Sequence, residues 1–217
     1  MNRHTEPDWP NSALLTIDTQ CDTLDGQPFE IPGTSAILPR MKTLLNAWRN
    51  AEKPIIHIVR IYKPDGSNVD LCRKQLVEQG AALVLAGSLG SQLVPELLPH
   101  PNIELDVNLL LSGGIQAIGL REIIIYKPRW GAFYQTPLED HLRKEGISTL
   151  VFSGCNFPNC PRTSIYEASE RDFRTVLATD AVSGLYDQGR LEMRNIGVKL
   201  LSTREIIAEI VRDYDSA

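Results

Sequence analysis

Two cysteines stand five positions apart in the stretch Ser148 to Asp172, STLVFSGCNFPNCPRTSIYEASERD. The second, Cys160, is followed at once by Pro161. Leu150, Val151 and Phe152 predict a buried strand, Gly154 a turn, and Pro161 the first residue of a helix. A strand–turn–helix of this kind places one side chain at the carboxyl edge of a parallel sheet and aims backbone N–H groups at it. A thiol there can act as a nucleophile once ionised, and a helix N-terminus or a nearby ammonium lowers its pKa. Two residues elsewhere in the chain supply what the thiol lacks. Asp18 follows the apolar run Ala13–Ile17, and Lys127 follows Glu122–Tyr126. A carboxylate can take the thiol proton and return it to a leaving amine, and a lysine can hold both anions. Each also has an ordinary reading: a loop cap for Asp18, a surface cation for Lys127, a packed thiol for Cys160.

The elements that must position these residues follow from apolar periodicity. Short apolar runs predict strands at Ala13–Ile17, Pro54–Val59, Glu122–Tyr126, Thr149–Ser153, Thr175–Ala178 and Val198–Leu201. Between them lie helical patterns. Ile37, Met41, Leu44, Leu45 and Trp48 have helical spacing after a Thr34 or Ser35 cap. Asp70 is placed to cap a helix ending at Gly80, and Thr136 with Pro137 to open another as cap and first residue. Further helices are expected near Gln92–Leu98 and over Gln188–Asn195. Ser202 and Glu205 have capping-box spacing for a last helix ending near Tyr214. Strand then helix recurs about six times, each strand a continuous apolar run, which predicts a mostly parallel sheet with helices on both faces. Residues 81–119 resist assignment, and residues 1–11 read as a loose tail ahead of a single domain over 12–217.

Composition bounds the function. The 217 residues suit one α/β domain. A net charge of −5 argues against nucleic-acid or anionic-membrane partners. No apolar run reaches the roughly 18 residues of a membrane span, and the polar start MNRHTEPDWPNS contains no signal-like apolar core. A cytoplasmic location follows as the expectation. The four cysteines have neither the C-x2-C spacing of a zinc site nor the pattern of a disulfide scaffold. Cys155 could pair with Cys160 under oxidation; the plainer expectation is a thiol packed in the turn. No G-x-G-x-x-G follows a strand, which disfavours a dinucleotide enzyme.

Three stretches carry a resemblance: Leu15-Thr16-Ile17-Asp18-Thr19-Gln20, Tyr126-Lys127-Pro128-Arg129-Trp130-Gly131-Ala132-Phe133 and Ser153-Gly154-Cys155-Asn156-Phe157-Pro158-Asn159-Cys160. With Ala178-Thr179-Asp180-Ala181, they resemble the isochorismatase-like cysteine hydrolase superfamily, which includes nicotinamidases and related amidases. The resemblance runs from Ala13 to Glu209. It implies an α/β/α sandwich around a six-stranded, mostly parallel, Rossmann-like sheet, in a homodimer or homotetramer. It implies a catalytic triad of Asp18, Lys127 and Cys160, a cis peptide at Cys155–Asn156, and an oxyanion hole formed by the N–H groups of Asn156 and Cys160. The activity implied is hydrolysis of a small-molecule amide or ureide through a thioester. A vinyl-ether hydrolase of the isochorismatase type and a non-catalytic binding module remain the alternatives.

The chain also departs from the family. Nicotinamidases bind a metal through an Asp and two His after the second strand. Here that region reads Arg60-Ile61-Tyr62-Lys63-Pro64-Asp65, and His57 lies inside the strand. Neither a metal nor another cofactor is expected. Phe157-Pro158-Asn159 and Pro161 depart from the usual nucleophile turn, and Thr23 and Leu24 stand near where the family commonly has a Phe. Candidate substrate contacts are Gln20, which could instead orient Lys127, Trp130, Phe133 and Tyr134 by stacking, and Arg60, Arg73 and Arg129 through a substrate carboxylate.

Overall fold

Ser12 to Ile17 is buried at every position. A strand is buried that way only when both its faces are covered. The computed structural model, which describes residues 3–214, shows the cover. In chain order the elements are β1 (Ser12–Ile17), α1 (Thr34–Asn50), β2 (Ile55–Val59), α2 (Leu71–Glu78), α3 (Val107–Leu111), β3 (Ile115–Gly119) and β4 (Glu122–Tyr126). There follow α4 (Leu138–Lys144), β5 (Thr149–Gly154), α5 (Cys160–Ser169), β6 (Arg174–Val182), α6 (Asp187–Asn195), β7 (Lys199–Leu201) and α7 (Thr203–Tyr214). The strands form one sheet in the order β3-β4-β2-β1-β5-β6-β7. All neighbours are parallel except β3 and β4.

Successive side chains along a strand point to opposite faces, and the core divides accordingly. Leu15, Ile17, Ile56, Ile58 and Phe152 pack with Leu138 and Leu142 of α4 and Ile165 of α5. Leu14, Ile55 and Val151 pack instead with Met41, Leu44, Leu45 and Trp48 of α1 and Ile206 and Ile210 of α7. The result is a three-layer α/β/α sandwich. No helix among the described residues is long and apolar enough to cross a membrane.

The sheet has seven strands rather than the expected six, because residues 115–119 add an antiparallel edge. That strand, IQAIG, is only half-buried and carries a polar Gln116, so it shows no continuous apolar run. The helix expected near Gln92–Leu98 is a single 3-10 turn at Pro95–Leu97. Several caps are also reassigned. The Asp25 carboxylate, not Thr34 or Ser35, accepts from the Gly33 and Ser35 N–H groups at the start of α1, both at 2.7 Å. Asp70 precedes α2, but its side chain makes no cap. Pro137 occupies the N-cap of α4, and Leu138 is the first helical residue. The capping box of α7 forms: Ser202 N–H donates to Glu205 Oε2 at 2.7 Å, and Glu205 N–H to Ser202 Oγ at 3.3 Å. Asp180 lies within β6, which runs past the expected Ala178, and accepts from Thr203 N–H and Oγ1, holding the same helix start.

The segment ahead of β1 is not loose where it is described. Asp8 N–H donates to Thr149 Oγ1 at 2.8 Å, Lys53 Nζ donates to the Trp9 carbonyl at 2.9 Å, and the Trp9 ring packs on the α1 side of the core. Met1, Asn2 and residues 215–217 lie outside the described residues.

Candidate active site

Register brings the candidate residues together. Ile17 pairs with Ile58 of β2 and Gly154 of β5, and Val59 pairs with Tyr126 of β4. The next residue beyond each strand is therefore Asp18, Arg60, Lys127 or Cys155, all at the carboxyl edge, where an open parallel sheet binds its ligand. Gly154 is required there. It sits at φ 109°, and a Cβ would lie 2.2 Å from the Ile17 carbonyl oxygen. With no side chain, the turn after β5 stays against β1, and Cys155 N–H donates to the Ile17 carbonyl at 2.9 Å.

Asp18 has a left-handed backbone, φ 47°. Asp tolerates this conformation better than most residues, but it still costs energy that packing must offset. Its N–H donates to the Ile58 carbonyl at 2.9 Å. Its own carbonyl accepts from Gln20 N–H at 3.1 Å and from Cys155 Sγ at 3.0 Å. The backbone so held turns the carboxylate toward β4. Oδ2 meets Lys127 Nζ at 2.8 Å, and buried Oδ1 has no hydrogen-bond partner among the described residues.

Lys127 is fully buried. An ammonium has three N–H groups, and buried charge is tolerable only when such donors are paired. Here the three acceptors are Asp18 Oδ2, the Arg129 carbonyl at 3.1 Å and Cys160 Sγ at 3.3 Å. One ammonium thus joins the carboxylate and the thiol.

Cys160 opens α5, one position before its expected start, with Pro161 second and Asn159 as N-cap. The Cys155–Asn156 peptide is cis, as the resemblance implied. The N–H groups of Asn156 and Cys160 have no acceptor among the described residues. The Phe157 and Asn159 N–H groups of the same turn are used, by the Ser183 carbonyl at 2.8 Å and the Asn156 carbonyl at 3.0 Å.

The thiol is not poised as its position suggested. Burial, then the Asp18 negative charge, push Cys160 up to about 11, and Lys127 offsets this only in part. At neutral pH the resting sulfur is a thiol, whose proton must leave during attack. Cys155, still more buried, is pushed up to about 12 by burial and then by Asp18. These values predict an order of labelling. At pH 8, iodoacetamide should modify the exposed Cys72 first. Labelling of Cys160 should rise toward pH 11 instead of levelling near an ordinary thiol pKa, read by peptide mass spectrometry. A Cys160 that labels fastest at pH 7 would overturn this assignment.

A cavity of about 270 Å³ lies over these groups, lined in part by Asp18, Cys160, Asn156, Arg60, Arg73 and Trp130. Of the expected contacts, it includes Trp130 and Arg60 but not Phe133 or Tyr134. Phe133 is in the core, 5.8 Å from the Phe173 ring, and Tyr134 is 48% exposed. Arg129 is exposed and does not line the cavity. Gln20 lines the wall, but its amide is committed elsewhere. Oε1 accepts from Arg60 N–H at 2.9 Å, and Nε2 donates to the Arg60 and Ser91 carbonyls. It fixes the end of β2, and the Lys127 ammonium is held by other groups.

Sequence reasoning missed Phe29, Glu30 and Ile31 from the loop after β1, and Leu83 and Val84 from the unassigned region. Phe29 supplies an aromatic wall a few positions beyond Thr23 and Leu24, where this chain lacks the Phe that the family commonly has. Val84, β-branched at φ 39°, is held by its N–H donating to Asp22 Oδ2 at 2.6 Å. That contact crosses 62 positions and leaves no local signal.

His57 is buried between Thr16 Oγ1 at 2.7 Å and Glu122 Oε1 at 2.8 Å, a core histidine away from the cavity. The metal arrangement of nicotinamidases does not fit this chain. The Arg60 guanidinium occupies the region after β2, engaged with Asp70. Among the described residues, no group of three or more His, Cys, Asp or Glu side chains could hold an ion.

Comparison with known proteins agrees with this fold. Residues 116–205 match the isochorismatase domain. A protein of Arabidopsis thaliana described as a probable inactive nicotinamidase is 29% identical over 209 residues, covering 93% of this chain and 97% of its own. A ureidoacrylate amidohydrolase of Methylobacterium radiotolerans is 25% identical over 171 residues, 73% of this chain and 59% of its own. The crystal structure of an isochorismatase family protein from Desulfovibrio vulgaris superposes with a TM-score of 0.78 at 28% identity, covering 93% of this chain and 98% of that one. By its match over residues 116–205 and by its fold, the chain is similar to the isochorismatase family of hydrolases.

Proposed function

We propose that the protein is a cysteine hydrolase that cleaves the C–N bond of a small amide or ureide. The observation that carries this reading is the Lys127 ammonium bridging Asp18 Oδ2 at 2.8 Å and Cys160 Sγ at 3.3 Å at the floor of a cavity. As Cys160 Sγ attacks the substrate carbonyl carbon, its proton passes to Asp18 and the S–C bond forms. The carbonyl oxygen takes up negative charge and accepts from the free N–H groups of Asn156 and Cys160. Collapse breaks the C–N bond, and the amine leaves with the proton from Asp18. Water, deprotonated by Asp18, then cleaves the thioester; the acid departs and the thiol is restored. Because the resting group is a thiol, the unpartnered Asp18 Oδ1 matters: it is an acceptor that no hydrogen-bond donor among the described residues uses.

The relatives support amide or ureide chemistry through the ureidoacrylate amidohydrolase. The Arabidopsis relative favours a second reading, a silent pocket on the same fold. One experiment decides between them. The purified protein is incubated with a panel of primary amides, ureides and N-carbamoyl compounds, with isochorismate alongside, and ammonia or amine release is followed. Turnover of an amide or ureide supports the hydrolase. Turnover of isochorismate alone supports vinyl-ether chemistry, and no turnover across the panel supports the silent pocket.

A further inference from the structure

We infer that the cavity wall built on Arg60 and Arg73 is an anion subsite that receives the carboxylate of an acidic amide or ureide. The reaction on such a substrate rests on the hydrolase reading above; the binding does not. Arg60 is 3% exposed and held from behind. Nη1 donates to Asp70 Oδ2 at 2.7 Å and to the Pro128 carbonyl at 2.9 Å, and Nη2 to the Arg129 carbonyl at 2.5 Å. Arg60 lines the cavity, and its buried Nε–H has no acceptor among the described residues. A buried donor left unpaired is costly, and a ligand oxygen lodged against this wall would pair it.

Arg73 makes the second half. Its Nη1 donates to the Tyr62 hydroxyl at 3.1 Å and lies 3.6 Å from Asp70 Oδ2. The Tyr62 hydroxyl in turn donates to the same Asp70 Oδ2 at 2.6 Å. One carboxylate therefore serves two guanidinium groups, which leaves this wall one positive charge in excess. The other buried ions at the site, Asp18 and Lys127, neutralise each other. Glu30 is at the exposed rim, where its Oε2 accepts from Gly26 N–H at 2.6 Å. The Arg73 guanidinium lies over the Trp130 ring at 5.0 Å, which fixes it beside a flat apolar face. An anion in this wall restores charge balance, and a guanidinium is the side chain best shaped to receive a carboxylate.

The test uses binding, so that it does not depend on turnover. Cys160→Ala protein is titrated in a calorimeter with N-carbamoylglycine, an acidic ureide, and with its neutral primary amide. The acid is expected to bind at least tenfold tighter, and more weakly as salt rises. The preference is expected to shrink severalfold when Arg73→Met, at the half-exposed position, is added, and with Arg60→Lys, which keeps the charge but loses the fork. Melting curves check that each variant is folded. Equal affinity for acid and amide, no measurable binding of either, or an undiminished preference in both arginine variants would overturn the subsite. If the acid binds as expected but wild-type protein never hydrolyses it, the subsite stands and the hydrolase reading falls.

Discussion

Cys160→Ala is expected to remove turnover of any amide or ureide the wild-type protein hydrolyses, by about a thousandfold or more, while ligand binding and melting temperature stay near wild type. The change deletes one sulfur from a helix start whose other anchors remain. Pro161 is still packed, and Ser164 Oγ still donates to the residue-160 carbonyl at 2.7 Å. No other group can replace the sulfur. Cys155 is fully buried, hydrogen-bonded to the Asp18 carbonyl at 3.0 Å, and pushed up to about 12 first by burial. Cys155→Ala is therefore expected to keep most of the activity and to lose stability by about 1–2 kcal/mol, the cost of a buried sulfur and a weak hydrogen bond. Steady-state kinetics and thermal melts on the two variants check both halves. An active Cys160→Ala protein, or a folded but inactive Cys155→Ala protein, would refute the assignment of the nucleophile.

Lys127→Met is expected to damage fold and activity together. The substitution nearly matches the apolar stem and removes the ammonium, leaving Asp18 Oδ2, the Arg129 carbonyl and Cys160 Sγ without their shared donor. Removing one partner of a buried ion pair costs about 3–5 kcal/mol, because the other charge stays desolvated. Activity is expected to fall by orders of magnitude even in folded protein, because the one group that holds the carboxylate and the sulfur together is gone. Denaturant melts and steady-state kinetics on Lys127→Met beside wild type read both losses; wild-type stability or wild-type activity in the variant would show that the ammonium does not join the two groups.

Much of this architecture is legible locally. Strands β1, β2, β4 and β5 are apolar runs ended by a polar residue or a glycine, and a run buried on both faces has to look that way. Their parallel order puts their ends on one edge, so Asp18, Lys127 and Cys160 could be placed from spacing and element order. Where the local signal is weak, so was the reading. β3 is an edge strand with one polar and several half-buried positions, and Leu83 and Val84 reach the cavity through contacts far apart in the chain, Val84 N–H to Asp22 Oδ2 and Tyr62 N–H to the Val84 carbonyl. Asp70 shows the other limit. By sequence it is a helix cap, but Arg60 and Tyr62 stand within reach and claim its carboxylate, because a buried guanidinium needs a counter-charge more than an exposed helix end needs a cap.

The sequence by itself determined which chemical groups meet at the sheet edge: a carboxylate, an ammonium and a thiol, each delivered by the residue type that ends its strand or opens its helix. Tertiary structure alone decided their state. Position at a helix start argues for an ionised Cys160, yet burial beside Asp18 outweighs that start and the Lys127 charge and keeps the resting sulfur protonated. It also decided the shape and charge of the cavity, where Phe29, Val84, Arg60 and Arg73 converge from separate segments. Desolvation and charge balance depend on everything packed around a group, and that surrounding is assembled from parts of the chain that no local pattern links.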